Sequence, residues 1–280
     1  MKFYAPAKTF LIGEYVATAG GPAIVLATEP SFSLVMDDSV SGLVNIHSQS
    51  PAGIWYAQQT IKPKGLLFSD PYQGKGGLGA SSAQFALVYQ AAHYFQKRSF
   101  TVQSLLSDYY GCSWRGKGIR PSGYDVLTQH SGHSLFIDNH GAISHQLDWP
   151  FVDMNALLYH TGNKLATHTH LETQQQPSVS TLKPIVYQAL DAWETQNTSA
   201  MINCVQTFHQ ELLALQLVTP GTARLINQLQ HLPGVLAAKG CGALGADVIL
   251  MLVEKGDSHL IQSATKDQGL ALLAEIAISS

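Results

Sequence analysis

The stretch Lys75–Gln90, KGGLGASSAQFALVYQ, narrows the choice of fold more than any other part of the chain. A glycine cluster passes through two serines and runs into a segment where Phe85, Val88, Tyr89, Ala92 and Phe95 recur at helical spacing. One face of the predicted helix is therefore apolar and packs inward. Ser81 or Ser82 is placed to cap its first turn, where backbone N–H groups lack intrahelical partners. A glycine-rich loop opening on a helix N-terminus gathers N–H donors at the positive end of the helix dipole. That is an anion site, usually filled by phosphate. The same residues also read as a tight turn with a serine cap and no ligand. The spacing is not GxGxxG, and no Lys-Ser/Thr pair follows the glycines, so neither a Rossmann nor a Walker A loop fits.

The 280 residues suit two domains or one large one. A hydrophobic content of 45% with 12% charged residues describes a globular chain. The formal net charge of -3 gives no electrostatic reason to expect nucleic acid or an anionic membrane as partner. Cys112, Cys204 and Cys241 are widely spaced without CxxC, which fits a reducing cytoplasm better than a disulfide framework. Lys8 and Glu14 interrupt the first apolar residues before a signal-peptide core forms, and no run approaches a membrane span. The expectation is a soluble cytoplasmic protein.

In order, Lys2–Gly13 reads as two strands or one bent at Pro6, followed by strands at Ala23–Ala27, Ser31–Met36 and near Leu43–His47. Gly53–Leu67 reads as a hairpin or loop. After the glycine-loop helix comes another over Val102–Tyr110. A cationic, glycine-rich loop then spans Gly111–Gly123, and a short helix starts near Asp125. His133–Ile137 and Ala142–Leu147 flank an Asn-His-Gly turn. Asp148-Trp149-Pro150 is the expected boundary between a domain of residues 1–150 and one of 151–280. Beyond it come a strand at Asn155–His160, a polar loop at Thr161–Ser180, and helices at Leu182–Glu194, Thr198–Leu217 and Thr222–Leu229. Strands at Val235–Lys239 and Asp247–Val253, a helix at Ser258–Lys266 and a strand at Leu270–Ile278 complete the chain. DVILMLV, from Asp247, is apolar enough for a strand buried on both faces. Strands mixed with helices in this way indicate an α+β class.

Three blocks resemble the motifs of the GHMP kinase family, in family order. APAKTFLIGEYVATAGGPAIV is similar to its first motif, GLGASSA to its second, the ATP loop, and AKGCGALGADV to its third. The resemblance implies a two-domain fold with a ribosomal-protein-like β-α N-terminal domain, a ferredoxin-like C-terminal domain and the active site between them. It implies a small-molecule kinase using ATP and Mg²⁺, with a homodimer admitted. Within the family the mevalonate-pathway branch is most similar. Gly13-Glu14-Tyr15 and Thr161–His170 resemble phosphomevalonate kinases, while Pro121-Ser122-Gly123-Tyr124-Asp125 looks like the PSGxD of mevalonate kinases. The implied reaction is phosphorylation of phosphomevalonate. Mevalonate kinase, diphosphomevalonate decarboxylase and a GHMP-fold binding protein without catalysis are the alternatives.

By the same resemblance, Gly76, Gly77, Leu78, Gly79, Ala80, Ser81 and Ser82 bind ATP, and the Ser81 hydroxyl reaches the metal. Lys8 places positive charge beside Asp125, which takes the acceptor's proton or orients it. Glu14, Tyr15, Arg120, Ser122, Lys164, His168, His170, Gly242 and Ala243 are the expected substrate contacts, with Glu14 equally a structural carboxylate. Lys164, His168, His170 and Arg120 supply the cations that a phosphorylated acceptor needs. His168 and His170 without a nearby Cys or acidic cluster make a poor zinc site. Two departures stand out. Leu244 and Ala246 replace glycines usual in the third motif. Trp114 stands where mevalonate kinases carry a magnesium-binding Glu, leaving the metal to Ser81, phosphates and water, or to another acid such as Asp108.

Overall fold

The computed structural model describes residues 1–114, 116–139, 142–162 and 178–278. Strand β1 (Lys2–Ile12) bends at Pro6 without breaking: Ala5 pairs with Phe32, but Ala7 pairs with Thr28. The three partner residues skipped there include Pro30, which has no N–H to give a ladder. The two strands expected at Ala23–Ala27 and Ser31–Met36 are consequently one, β2 (Ala23–Met36), with β1 spanning the irregularity. The other edge of β2 is shared. Its C-terminal part pairs with β4 (Gly65–Ser69) and its N-terminal part with β5 (Ser134–Asp138). The short β3 (Gly42–Val44) runs parallel to β4, and β6 (Ala142–Leu147) closes the sheet against β5.

Gly53–Leu67 corrects the hairpin expectation, because it holds most of a helix, α1 (Pro51–Gln58), as well as the start of β4. The cause is local: Ser50 accepts the Gly53 N–H at 3.2 Å and Pro51 occupies the first turn, where its missing N–H costs nothing. Helices α2 (Ala80–Phe95), α3 (Val102–Ser113) and α4 (Tyr124–Ser131) follow, with α2 and α4 packed on β1 and on each other. A Thr101–Ser104 capping box starts α3, which runs three residues further than expected.

The remaining strands form a second, fully antiparallel sheet in the order β10, β7, β9, β8: β7 is Met154–His160, β8 Val235–Cys241, β9 Val248–Glu254 and β10 Ala271–Ile276. Helices α5 (Leu182–Glu194) and α6 (Thr198–Ala214) pack together, and α6 lies on β8. Helices α7 (Pro220–Leu229) and α8 (Ser258–Asp267) complete this half. The apolar run in β9 divides by the two-residue period of a strand. Val248, Leu250 and Leu252 join the large core shared with the first sheet, while Ile249, Met251 and Val253 join a second core with Ile226, Leu229 and Ile261. A sheet covered on both faces explains why alternation is missing from the sequence there.

Candidate active site

Four distant segments meet around the start of α2. The Lys8 N–H of β1 donates to the Leu78 carbonyl at 3.1 Å, holding the glycine loop along the strand, and Leu78 buries its side chain. Gly77 has φ +91, and a Cβ there would lie 2.5 Å from Val248 Cγ2 and 2.9 Å from Asp247 Cβ. The loop thus sits directly against the third glycine segment. Gly79, at φ +83, is the residue that turns the chain into the helix.

That turn corrects the expected cap. Because the helix starts at Ala80, Ser81 and Ser82 fall inside its first turn. Ser81 is exposed, and the Ser82 hydroxyl donates back to the Gly79 carbonyl at 2.9 Å. Gly79 has no side-chain oxygen to offer, so no side chain caps this end of α2. An uncapped helix N-terminus beside a lysine is suited to hold a phosphate chain.

The lysine is Lys8, 8% exposed, with its Nζ 3.1 Å from Asp125 Oδ2. Asp125 lies in the first turn of α4, where the helix dipole favours negative charge. The helix is fixed at that end by Tyr124, fully buried, whose hydroxyl donates to the Gly21 carbonyl at 2.9 Å. Gln129, one turn beyond Asp125 and 1% exposed, donates from Nε2 to the Gly79 carbonyl at 2.9 Å. Lys8, Gly79, Asp125 and Gln129 therefore form one assembly.

Arg120 lies over the Tyr110 ring, 4.5 Å from its centroid, and the Tyr110 hydroxyl donates to the Ser122 carbonyl at 2.6 Å. The Ser122 hydroxyl accepts the Tyr124 N–H at 3.3 Å. Burial raises the Tyr110 hydroxyl above its ordinary value, with Arg120 acting to lower it and Asp125 to raise it. The ring carries Arg120 on its face, and its hydroxyl holds the segment that leads to Asp125. A cation stands next to the segment that delivers Asp125.

Glu14 and Tyr15 bind the two halves together. The Glu14 carboxylate pairs with the ammonium of Lys239, which is completely buried and also lies 3.4 Å from the Phe10 carbonyl and from Cys241 Sγ. The Tyr15 hydroxyl accepts the Leu244 N–H at 3.1 Å, and burial pushes its pKa up to about 12. This contact falls at the departure from the glycine pattern. Leu244 sits at φ +50, a left-handed conformation costly for a side chain with a Cβ, and is held there by Tyr15 and by the Thr219 N–H on its carbonyl. Gly242 turns the chain at φ +87 immediately before Ala243, with Asp247 packed against it.

Asp108 is occupied elsewhere, accepting the Trp55 indole N–H at 3.2 Å, and the Trp114 indole donates to the Lys117 carbonyl at 3.0 Å. No group of three or more His, Cys, Asp or Glu able to hold a metal occurs among the described residues. The exposed Ser81 hydroxyl at the start of α2 suits a Mg²⁺ bound mainly through phosphates and water. Lys164, His168 and His170 lie outside the described residues. Gln129, Tyr110 and Lys239 carry no local signal of a functional role in the sequence. Lys239 stands in the third motif, marked only as a lysine within a buried apolar strand.

The two-sheet architecture and this convergence of three glycine segments define the GHMP-kinase fold. Solved structures share it over essentially the whole chain. Streptococcus pneumoniae phosphomevalonate kinase in complex with phosphomevalonate and AMPPNP superposes with a TM-score of 0.81 at 18% identity, covering 99% of this chain and 100% of that one. Methanococcus jannaschii mevalonate kinase gives 0.77 at 17% identity, covering 100% and 98%. Lactococcus lactis galactokinase complexed with galactose gives 0.76 at 14% identity, covering 100% and 94%. No protein-family description and no curated protein sequence matches the chain. No helix among the described residues is long and apolar enough to cross a membrane.

Proposed function

We propose that this protein is an ATP-dependent kinase of a small anionic metabolite, with phosphomevalonate the leading acceptor. The observation that carries the reading is the Lys8–Asp125 pair at 3.1 Å beside an uncapped helix N-terminus. Phosphoryl transfer asks a protein mainly to position reactants and neutralise charge. The N–H groups of Gly77–Ser82 would hold the phosphates of ATP, and the Ser81 hydroxyl would hold a Mg²⁺ that would supply further positive charge to their oxygens. Lys8 stabilises the charge that develops during transfer. Asp125 accepts the proton of a hydroxyl acceptor, or orients a phosphate acceptor that is already largely ionised. Residues 1–150 form the nucleotide lobe in this scheme and residues 151–280 the second lobe.

The choice of acceptor rests on charge. Arg120, held by Tyr110 next to the Ser122–Asp125 segment, supplies a cation beyond Lys8, and Lys164, His168 and His170 are proposed to add theirs. The solved phosphomevalonate kinase complex gives the same acceptor for a protein of this fold. Mevalonate is the second reading, favoured by an Asp125 placed against Lys8 as a base for a hydroxyl would be. The test is ATP turnover with phosphomevalonate, mevalonate, diphosphomevalonate and galactose as separate acceptors. Turnover on phosphomevalonate alone supports the proposal, and turnover on mevalonate alone replaces it with the second reading. ATP binding without transfer to any acceptor removes the kinase reading in favour of a binding protein.

A further inference from the structure

Gln129 lies on the same face of α4 as Asp125, four residues on, so the two side chains project from one face of the helix. Asp125 meets Lys8, while Gln129 meets the loop: its Nε2 donates to the Gly79 carbonyl at 2.9 Å. That single oxygen also receives the Ser82 hydroxyl at 2.9 Å and the Ala83 N–H at 2.9 Å. A Cβ on Gly79 would lie 2.9 Å from both Gln129 Nε2 and Lys8 Cε, so the three groups crowd one point.

The peptide plane gives this grip a consequence. In a trans peptide the carbonyl and the following N–H point in opposite directions. Fixing the Gly79 carbonyl toward the helix therefore fixes the Ala80 N–H outward, where an anion at the N-terminus of α2 is met. Gln129 is 1% exposed, and its Oε1 is buried without a hydrogen-bond partner among the described residues. A buried amide half satisfied is an unfavourable choice for filling space, since an apolar side chain of that length leaves no such atom.

We propose that Gln129 is a positioning residue that holds the phosphate loop in register with the Lys8–Asp125 pair. This deepens the kinase reading and rests on it for its catalytic consequence. The geometric part stands without it. One helix thus carries the group that addresses the acceptor and the group that aims the loop at the nucleotide.

The test compares wild type with Gln129→Met, which keeps the length and loses the donor, and with Gln129→Ala. Three quantities are measured: amide exchange at Ala83 in the nucleotide-free protein, equilibrium binding of MgATP, and kcat against the acceptor KM. For Gln129→Met the expected results are faster Ala83 exchange and MgATP binding weaker by about 3–10-fold, the range for one neutral hydrogen bond. The kcat is expected to fall by about 10-fold with the acceptor KM unchanged and the melting temperature close to wild type. Gln129→Ala should show the same pattern with a lower melting temperature. Unchanged Ala83 exchange in Gln129→Met overturns the proposal, as does wild-type MgATP affinity per folded molecule. A wild type that binds no MgATP removes the kinase reading instead, and Ala83 exchange still decides the role of Gln129.

Discussion

The Lys239 ammonium, completely buried on β8, pairs with the Glu14 carboxylate in the first motif. The two residues are 225 positions apart and belong to different halves of the chain. Through Glu14 the pair fixes the turn that leads out of β1, four residues after Phe10, whose carbonyl also faces Lys239. Next to it, Tyr15 holds the Leu244 N–H. The third glycine segment is therefore tied to the first by two contacts side by side, and the glycine loop before α2 rests against that third segment.

Breaking such a pair from one side leaves an uncompensated buried charge. Lys239→Met should lose about 3–5 kcal/mol of unfolding free energy, and Glu14→Gln should lose a large part of that. Combining Lys239→Met with Glu14→Leu should recover much of the loss, because neither charge is then stranded. Urea unfolding of these variants, together with Glu14→Leu alone, measures this. Additive losses in the double variant would show that the two charges do not act on each other.

Gly79 and Gly74 offer a controlled comparison. Both have positive φ, +83 and +80, but a Cβ on Gly74 meets nothing within 4 Å while one on Gly79 strikes Gln129 and Lys8. Gly74→Ala should cost roughly 1–2 kcal/mol of backbone strain and leave MgATP affinity intact. Gly79→Ala should weaken MgATP binding by at least about 10-fold, since the loop, Lys8 or Gln129 must move. Gly79→Asp adds a carboxylate where phosphates are proposed to bind and should abolish binding. Equal MgATP affinities in Gly74→Ala and Gly79→Ala, read by calorimetry, would detach the loop from the nucleotide.

Lys8 and Asp125 touch, so their contributions to turnover should not multiply. Lys8→Met and Asp125→Asn should each lower kcat by about 10²–10⁴-fold, the range for a positioned base or charge-stabilising group. The double variant should be little worse than the weaker single one, as residues acting as a unit behave. Steady-state kinetics on the preferred acceptor, with circular dichroism to confirm the fold, provides the measurement. A double variant showing the full product of both losses would mean two independent roles.

Much of this was legible because the signals are local. The helical period from Phe85 to Phe95, the glycines before it and the apolar run of β9 each report on a few neighbouring residues. The closeness of Lys8 and Asp125 was legible only through the resemblance of their motifs, since neither residue encodes the other locally. The Glu14–Lys239 pair was not, because nothing near either residue encodes a partner so far along the chain. Gln129 was hidden for another reason: an amide on a short helix resembles a solvated face until α2 packs over it. Helix α1 was missed although Ser50-Pro51 is a start signal, since the glycine and aromatic residues after it resemble a loop or strand.

His209, on α6, gives the chain a stability that depends on acid. Burial, and then the charge of Lys239, pushes its pKa down from 6.5 to about 4, and the residue is 5% exposed. Its Nδ1 is buried without a hydrogen-bond partner among the described residues. The folded protein therefore keeps the ring neutral, while the unfolded chain protonates it near pH 6.5. Between those values the unfolded state binds more protons, so stability falls as pH drops from about 6.5 toward 4. At roughly 1.4 kcal/mol for each pKa unit, the full loss from this one residue is on the order of 3–4 kcal/mol. His209→Leu should remove that part of the slope, so the variant gains on wild type steadily from pH 7 to pH 4.5. Lys239→Met should shift the titration upward, because one of the two causes of the depression is gone. Urea unfolding at half-unit pH steps measures all three proteins. Parallel stability curves for wild type and His209→Leu would show that the histidine does not titrate with folding.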